Sequence, residues 1–163
     1  MKNLLAAILT LALQQHPAMP AGMSHEEHLK QMEKDAALKA RGTIAMGFDQ
    51  DKTAHHFRTS ATGGSIEVEV KDPADSVSRD QVRIHLKELA AAFAKGDFAK
   101  PFQTHAEVPP GVPSMERLKA VIRYKYEETA RGGLVRITTS DPDAIKAVHE
   151  FLGYQAREHH TGS

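Results

Sequence analysis

Apolar positions recur along the chain in three patterns, each pointing to a different element. Leu4 to Leu13 is a nearly unbroken apolar run behind the short basic start Met1-Lys2-Asn3. A bilayer-spanning helix needs about 20 such residues. This run is shorter and has the charge-then-apolar order of a secretory signal. The pattern places a signal peptide over 1–14, with cleavage open between Gln14 and Ala21, and a Pro/Gly/Ala-rich tether over 15–23. Ser24-His25-Glu26-Glu27 then has capping-box spacing. It predicts an N-terminal helix over 24–42 with a thin apolar face (Leu29, Met32, Ala36, Ala40), stopped by Gly42.

Residues 43–163 read as a single α+β domain. Thr43–Phe48 and Thr53–Ser60 have strand composition, and Ile66, Val68 and Val70 alternate with Glu67 and Glu69. A helix over 78–95 carries Val82, Leu86, Leu89 and Phe93 on one stripe. Residues 97–113 read as an irregular connection, stiff and extended at Val108–Pro113. Strands over 121–129 and 134–139 follow, and Asp141-Pro142 opens a last helix with Ile145, Val148, His149, Leu152 and Ala156 on one stripe. Both halves share Gly-Gly, an alternating strand and an Asp-Pro break, so a duplicated ββα unit is expected. Together the two units would form one antiparallel sheet with two long helices on one face. Aligning the copies sets His149 against Leu86. A hairpin turn at Thr62-Gly63 would bring Arg58 near Glu67 and His56 near Glu69 on the outer face, with His55 and Phe57 toward the core.

Composition narrows the chemistry. The 163 residues carry 21 Lys+Arg against 21 Asp+Glu, without the basic excess of a general nucleic-acid binder. Zero Cys excludes disulfides, thiol catalysis, iron–sulfur clusters and Cys-ligated zinc. With no second long apolar run, no integral membrane segment is expected in the mature chain, which points to a periplasmic or secreted protein.

Histidine, with 10 residues, is the outlier. Met23, His25, His28 and Met32 cluster at the first helix, where three- and four-residue spacings share a face. Imidazole and thioether together suit copper, and imidazole with carboxylate also suits zinc. His55 and His56 are the candidate metal ligands from the domain body. His55, His85 and His149 form a second set, with two helices and a strand each offering an imidazole to a metal or, less readily, to haem. His159-His160 reads as a helix end that gains from the helix dipole when protonated.

The leading expectation is an exported soluble protein that binds a transition metal, copper favoured, through His and Met ligands. Binding is favoured over catalysis. One alternative is a haem- or metal-dependent periplasmic enzyme. Another is an envelope module without cofactor that contacts a partner protein. No nucleophile elbow, zincin helix or phosphate-binding loop occurs in the chain, so no catalytic residue is assigned.

The runs Met46-Gly47-Phe48-Asp49-Gln50, Thr53-Ala54-His55-His56-Phe57 and Glu107-Val108-Pro109-Pro110-Gly111-Val112-Pro113 resemble an uncharacterised family of exported bacterial proteins. The likeness spans Ser24 to Gly162 and implies export, but no activity or site residue.

Overall fold

A computed structural model describes residues 22–159. The expected signal peptide, most of the tether and His160 lie outside them. The chain divides into two compact units, Met1–Lys34 and Asp35–Ser163. In the first, the capping box forms: the Ser24 N–H donates to Glu27 Oε2 at 2.9 Å and the Glu27 N–H donates to Ser24 Oγ at 3.2 Å. These bonds satisfy amide donors that the start of helix α1 (His25–Met46) leaves without helical partners.

Helix α1 does not stop at Gly42. Gly42 is buried in mid-helix, because the Gln50 amide occupies the place of its missing Cβ. Gly47, with φ +76°, is the actual terminator, and its N–H donates to the Thr43 carbonyl. The strand expected over 43–48 is therefore helix followed by a bend, which leaves Met46 partly buried against the core and Phe48 within it. A 3-10 turn at Gln50–Lys52 leads into the sheet.

The sheet has strands β1 (Thr53–Ser60), β2 (Gly63–Val70), β3 (Arg123–Thr129) and β4 (Gly132–Thr138) in the order β1-β2-β4-β3. All neighbours are antiparallel. Helices α2 (Ser76–Ala94) and α5 (Pro142–Glu158) pack on it, completing the α+β fold. The connection over 97–113 is not extended throughout. It holds α3 (Ala99–His105) and leads into α4 (Val112–Arg117). Residues 97–98 and 106–111 lie outside these helices, and Pro101 and Pro113 sit in first turns, where a missing N–H costs nothing.

The β1–β2 register differs from expectation by two residues, with Ser60 pairing Gly63 across Ala61-Thr62. A two-residue shift keeps every side chain on its face. Arg58 thus still reaches Glu67 at 2.5 Å and His56 reaches Glu69 at 3.4 Å, now as diagonal neighbours.

The two ββα units correspond residue by residue once each helix is counted from its N-cap, Asp75 or Asp141. Both caps accept from the backbone N–H three residues on, at 2.9 Å. Val82 then matches Val148 and Leu86 matches Leu152, all within 1% of complete burial. The helices are exchanged over the hairpins: α2 packs mainly on β3 and β4, and α5 on β1 and β2. The shared glycines explain the fit. A Cβ on Gly64 would collide with the Leu152 methyl, and one on Gly133 would crowd the Leu86 methyl at 3.2 Å. Each helix therefore seats its central leucine on the Gly-Gly strand start of the other unit, with no side chain between.

Candidate functional site: a histidine-lined cavity

The internal correspondence exposes a chemical asymmetry. On β3, α5 and α2, the core positions Tyr124, Phe151 and Phe93 form a cluster of rings. Phe93 lies 5.7 Å from Tyr124 and 5.8 Å from Phe151, between centroids. The matching positions on β1, on α2 and at the C-terminal cap of α5 are His55, His85 and His159. His55 and His159 stand 5.3 Å apart, nearly the Tyr124–Phe93 separation. In one half the fold fills these places with hydrocarbon and phenol, and in the other with imidazole. Both halves bury unpartnered polar atoms at these places, the Tyr124 hydroxyl in one and His55 Nε2 and His85 Nδ1 in the other, but only the imidazoles bring nitrogen donors.

These three line one cavity, which His105 of α3 and Met46 of α1 also reach. Ile66, Val68, Leu86 and Phe151 supply apolar wall, and Lys100 stands at the side with its ammonium 2.9 Å from Glu88. Among the described residues no Asp or Glu lines the cavity. Its volume is about 50 Å³.

His55, His85 and His105 are each at least nine-tenths buried. Buried without a hydrogen-bond partner are Nε2 of His55, Nδ1 of His85 and of His105, and the Gln155 amide nitrogen. Such an orphaned group costs about 1–3 kcal/mol. Burial holds the imidazoles neutral. It drives His55 down to about 4, helped by the neighbouring His85, which would repel it if both were protonated, and His85 down to about 4, helped by Lys100. Burial also lowers His105, against the opposing pull of its hydrogen bond to Gln155. That bond joins His105 Nε2 and Gln155 Oε1 at 2.9 Å. With the amide oxygen as acceptor, Nε2 carries the proton and Nδ1 keeps its lone pair.

Not every expected site residue is here. His149 matches Arg83 of the other unit, not Leu86, and has the same task. Its Nε2 bonds the Ser60 carbonyl at 2.9 Å, while Arg83 donates to Thr129, the equivalent strand end, at 2.9 Å. His149 thus secures a hairpin and does not line the cavity. His56 points to the outer face, toward Glu69, because the strand alternates. Of the N-terminal set, His25 is exposed and Met23, His28 and Met32 are half-buried. Among the described residues, no three of His, Cys, Asp and Glu are already gathered to hold a metal ion. The cavity imidazoles are spread along its wall.

Outside His55 and His159 lies a larger, open vestibule of about 390 Å³, which these two residues share with the cavity. His56, Lys71, Gln50 and Thr53 line it.

Met46, His105 and His159 escape a reading of the sequence. Met46 falls in an apparent strand, and His105 in a helix of 7 residues, too short to show a period. The signal for His159 is present in the sequence: counted from its cap, it occupies the place of Phe93.

No protein-family model, curated protein or solved structure matches the chain. Among the described residues no helix is long and apolar enough to cross a membrane.

Proposed function

We propose that this is an exported, non-enzymatic binding protein that holds a transition-metal ion, copper(I) above others, in the histidine-lined cavity. The observation that carries the reading is the appearance of His55, His85 and His159 where the other half has Tyr124, Phe151 and Phe93, with His55 Nε2 and His85 Nδ1 left buried and unpartnered.

Size, donor type and charge each narrow the occupant. A cavity of about 150 Å³ accommodates benzene; this one, at about 50 Å³, is a third of that. It suits an ion with a water, and a haem would require unpacking the core. Neutral imidazoles and the Met46 thioether form a soft donor set without thiolate, which suits Cu(I). With no carboxylate on the wall, a bound ion keeps its full charge in an apolar surround. That penalises a divalent ion more than a monovalent one. The depressed basicity of His55 and His85 means that no proton has to leave before they coordinate at neutral pH. The His105–Gln155 bond is the outer hydrogen bond that orients a ligating imidazole. Side-chain rotation then brings the ring nitrogens onto the ion.

The test is an anaerobic competition titration with Cu(I), repeated with Zn(II), on wild type, His85→Leu and a His25→Ala/His28→Ala double variant. One equivalent of Cu(I) held more tightly than zinc, lost in His85→Leu and kept in the double variant, is expected. Binding that disappears with His25 and His28 but survives His85→Leu would move the site to the N-terminal helix. The absence of saturable binding would remove the metal reading altogether.

A further inference from the structure

The vestibule outside the cavity carries a chemistry of its own. Its wall is shared with the cavity at His55 and His159, so an occupant of one faces an occupant of the other across these two rings. His55 is 9% exposed, and its Nε2 is buried without a partner. On the outer side stands Lys71, whose ammonium donates one hydrogen bond, to the Asp51 carbonyl at 2.9 Å. An ammonium has three donors. The Asp51 carboxylate is engaged by Lys39 at 2.5 Å. On the same wall, His56 lies 3.4 Å from Glu69, which also has Arg131 at 3.8 Å. Among the described residues the vestibule lining contains Lys71 and three imidazoles, but no carboxylate. A cation gains nothing from such a wall, whereas an anion meets the positive charge of Lys71.

We propose that the vestibule binds a small carboxylate, anchored by Lys71, as the counter-ligand to the metal in the cavity. The inference rests on the metal reading of that cavity, and the two complete each other. A metal ion on neutral donors in an apolar surround carries uncompensated charge, and desolvated charge is stable only when paired. The cavity supplies no acid, so the compensating charge comes from outside, through the wall that His55 and His159 form. A carboxylate fits this role: one oxygen accepts from the Lys71 ammonium, and the other faces the imidazole wall. About 390 Å³ leaves room for an acid of several heavy atoms.

Cu(I) affinity measured by anaerobic chelator competition, in acetate and in perchlorate at equal ionic strength, tests this on wild type, Lys71→Met and Lys71→Arg. Acetate is expected to tighten wild-type binding about tenfold, to tighten Lys71→Met less than about twofold, and to act on Lys71→Arg nearly as on wild type. Equal wild-type affinity in both salts would overturn the carboxylate site while leaving the metal reading intact. An acetate effect that persists in Lys71→Met would overturn the anchor. No Cu(I) binding in either salt would remove the metal reading, and this inference with it.

Discussion

Replacing His85 by leucine separates a ligand histidine from a packing histidine, because the two roles predict opposite signs. In the wild-type protein the ring sits edge-on to Phe48 at 5.5 Å and carries an unpartnered buried Nδ1. Leucine removes the orphaned nitrogen, a gain of about 1–3 kcal/mol. It forfeits an aromatic contact of about 0.5–1.5 kcal/mol. The metal-free variant at pH 7 should therefore be as stable as wild type or about 1 kcal/mol more stable. Acid enlarges the difference. His85 is held at about 4 in the folded protein against 6.5 ordinarily. Below 6.5 the unfolded chain takes up a proton that the folded chain refuses until about 4, so its contribution to stability is complete above 6.5 and drains away toward 4. The loss reaches about 3 kcal/mol, and His85→Leu escapes it. Urea unfolding of both proteins at several pH values between 7 and 4 measures the two effects together. A variant about 2 kcal/mol less stable at pH 7, with the same pH slope as wild type, would show that His85 is a satisfied core residue and refute the argument.

Other consequences are as direct. Cu(I) affinity should stay nearly flat from pH 7 to 5, since His55 and His85 are neutral until about 4; a site of ordinary exposed imidazoles weakens below about 6.5. Titrations across that range distinguish them. His105→Ala should weaken Cu(I) binding at least about tenfold and His149→Ala less than twofold, because only His105 lines the cavity. His149→Ala should instead lower stability by about 1 kcal/mol through the lost bond to Ser60, read by thermal melting. Gly111→Ala should destabilise by about 3 kcal/mol or more, because φ is +84° there and a Cβ would strike the Ala147 carbonyl of α5; chemical unfolding measures it.

The parts of the fold legible in the sequence are those with a period. Alternation on β1 and β2 sets His55 and Phe57 inward and His56 outward, and that assignment survives the two-residue shift because the shift is even. The Gly-Gly and Asp-Pro marks reveal the two units. What stays hidden depends on tertiary neighbours. Gly42 resembles a helix stop, but the Gln50 side chain holds it inside α1, and Met46 is carried to the cavity as a result. His105 reaches the cavity on a helix too short to have a pattern. Aligning the repeats by apolar stripe sets His149 against Leu86, whereas aligning by caps sets it against Arg83. Only the second alignment shows imidazoles standing where the other half has aromatic rings. The outer-face pairs Arg58–Glu67 and Glu127–Arg136 also hold equivalent places in the two hairpins, with opposite charge order.

The most direct measurement of the central claim is a long-range proton–nitrogen NMR spectrum of the histidine rings, recorded before and after one equivalent of Cu(I), which is diamagnetic. With the ion in the cavity, the ring nitrogens of His55, His85 and His105 move on loading, with His105 keeping its proton on Nε2, while those of His25, His28 and His149 stay in place. Shifts confined to His25 and His28, with the buried rings unmoved, would contradict it.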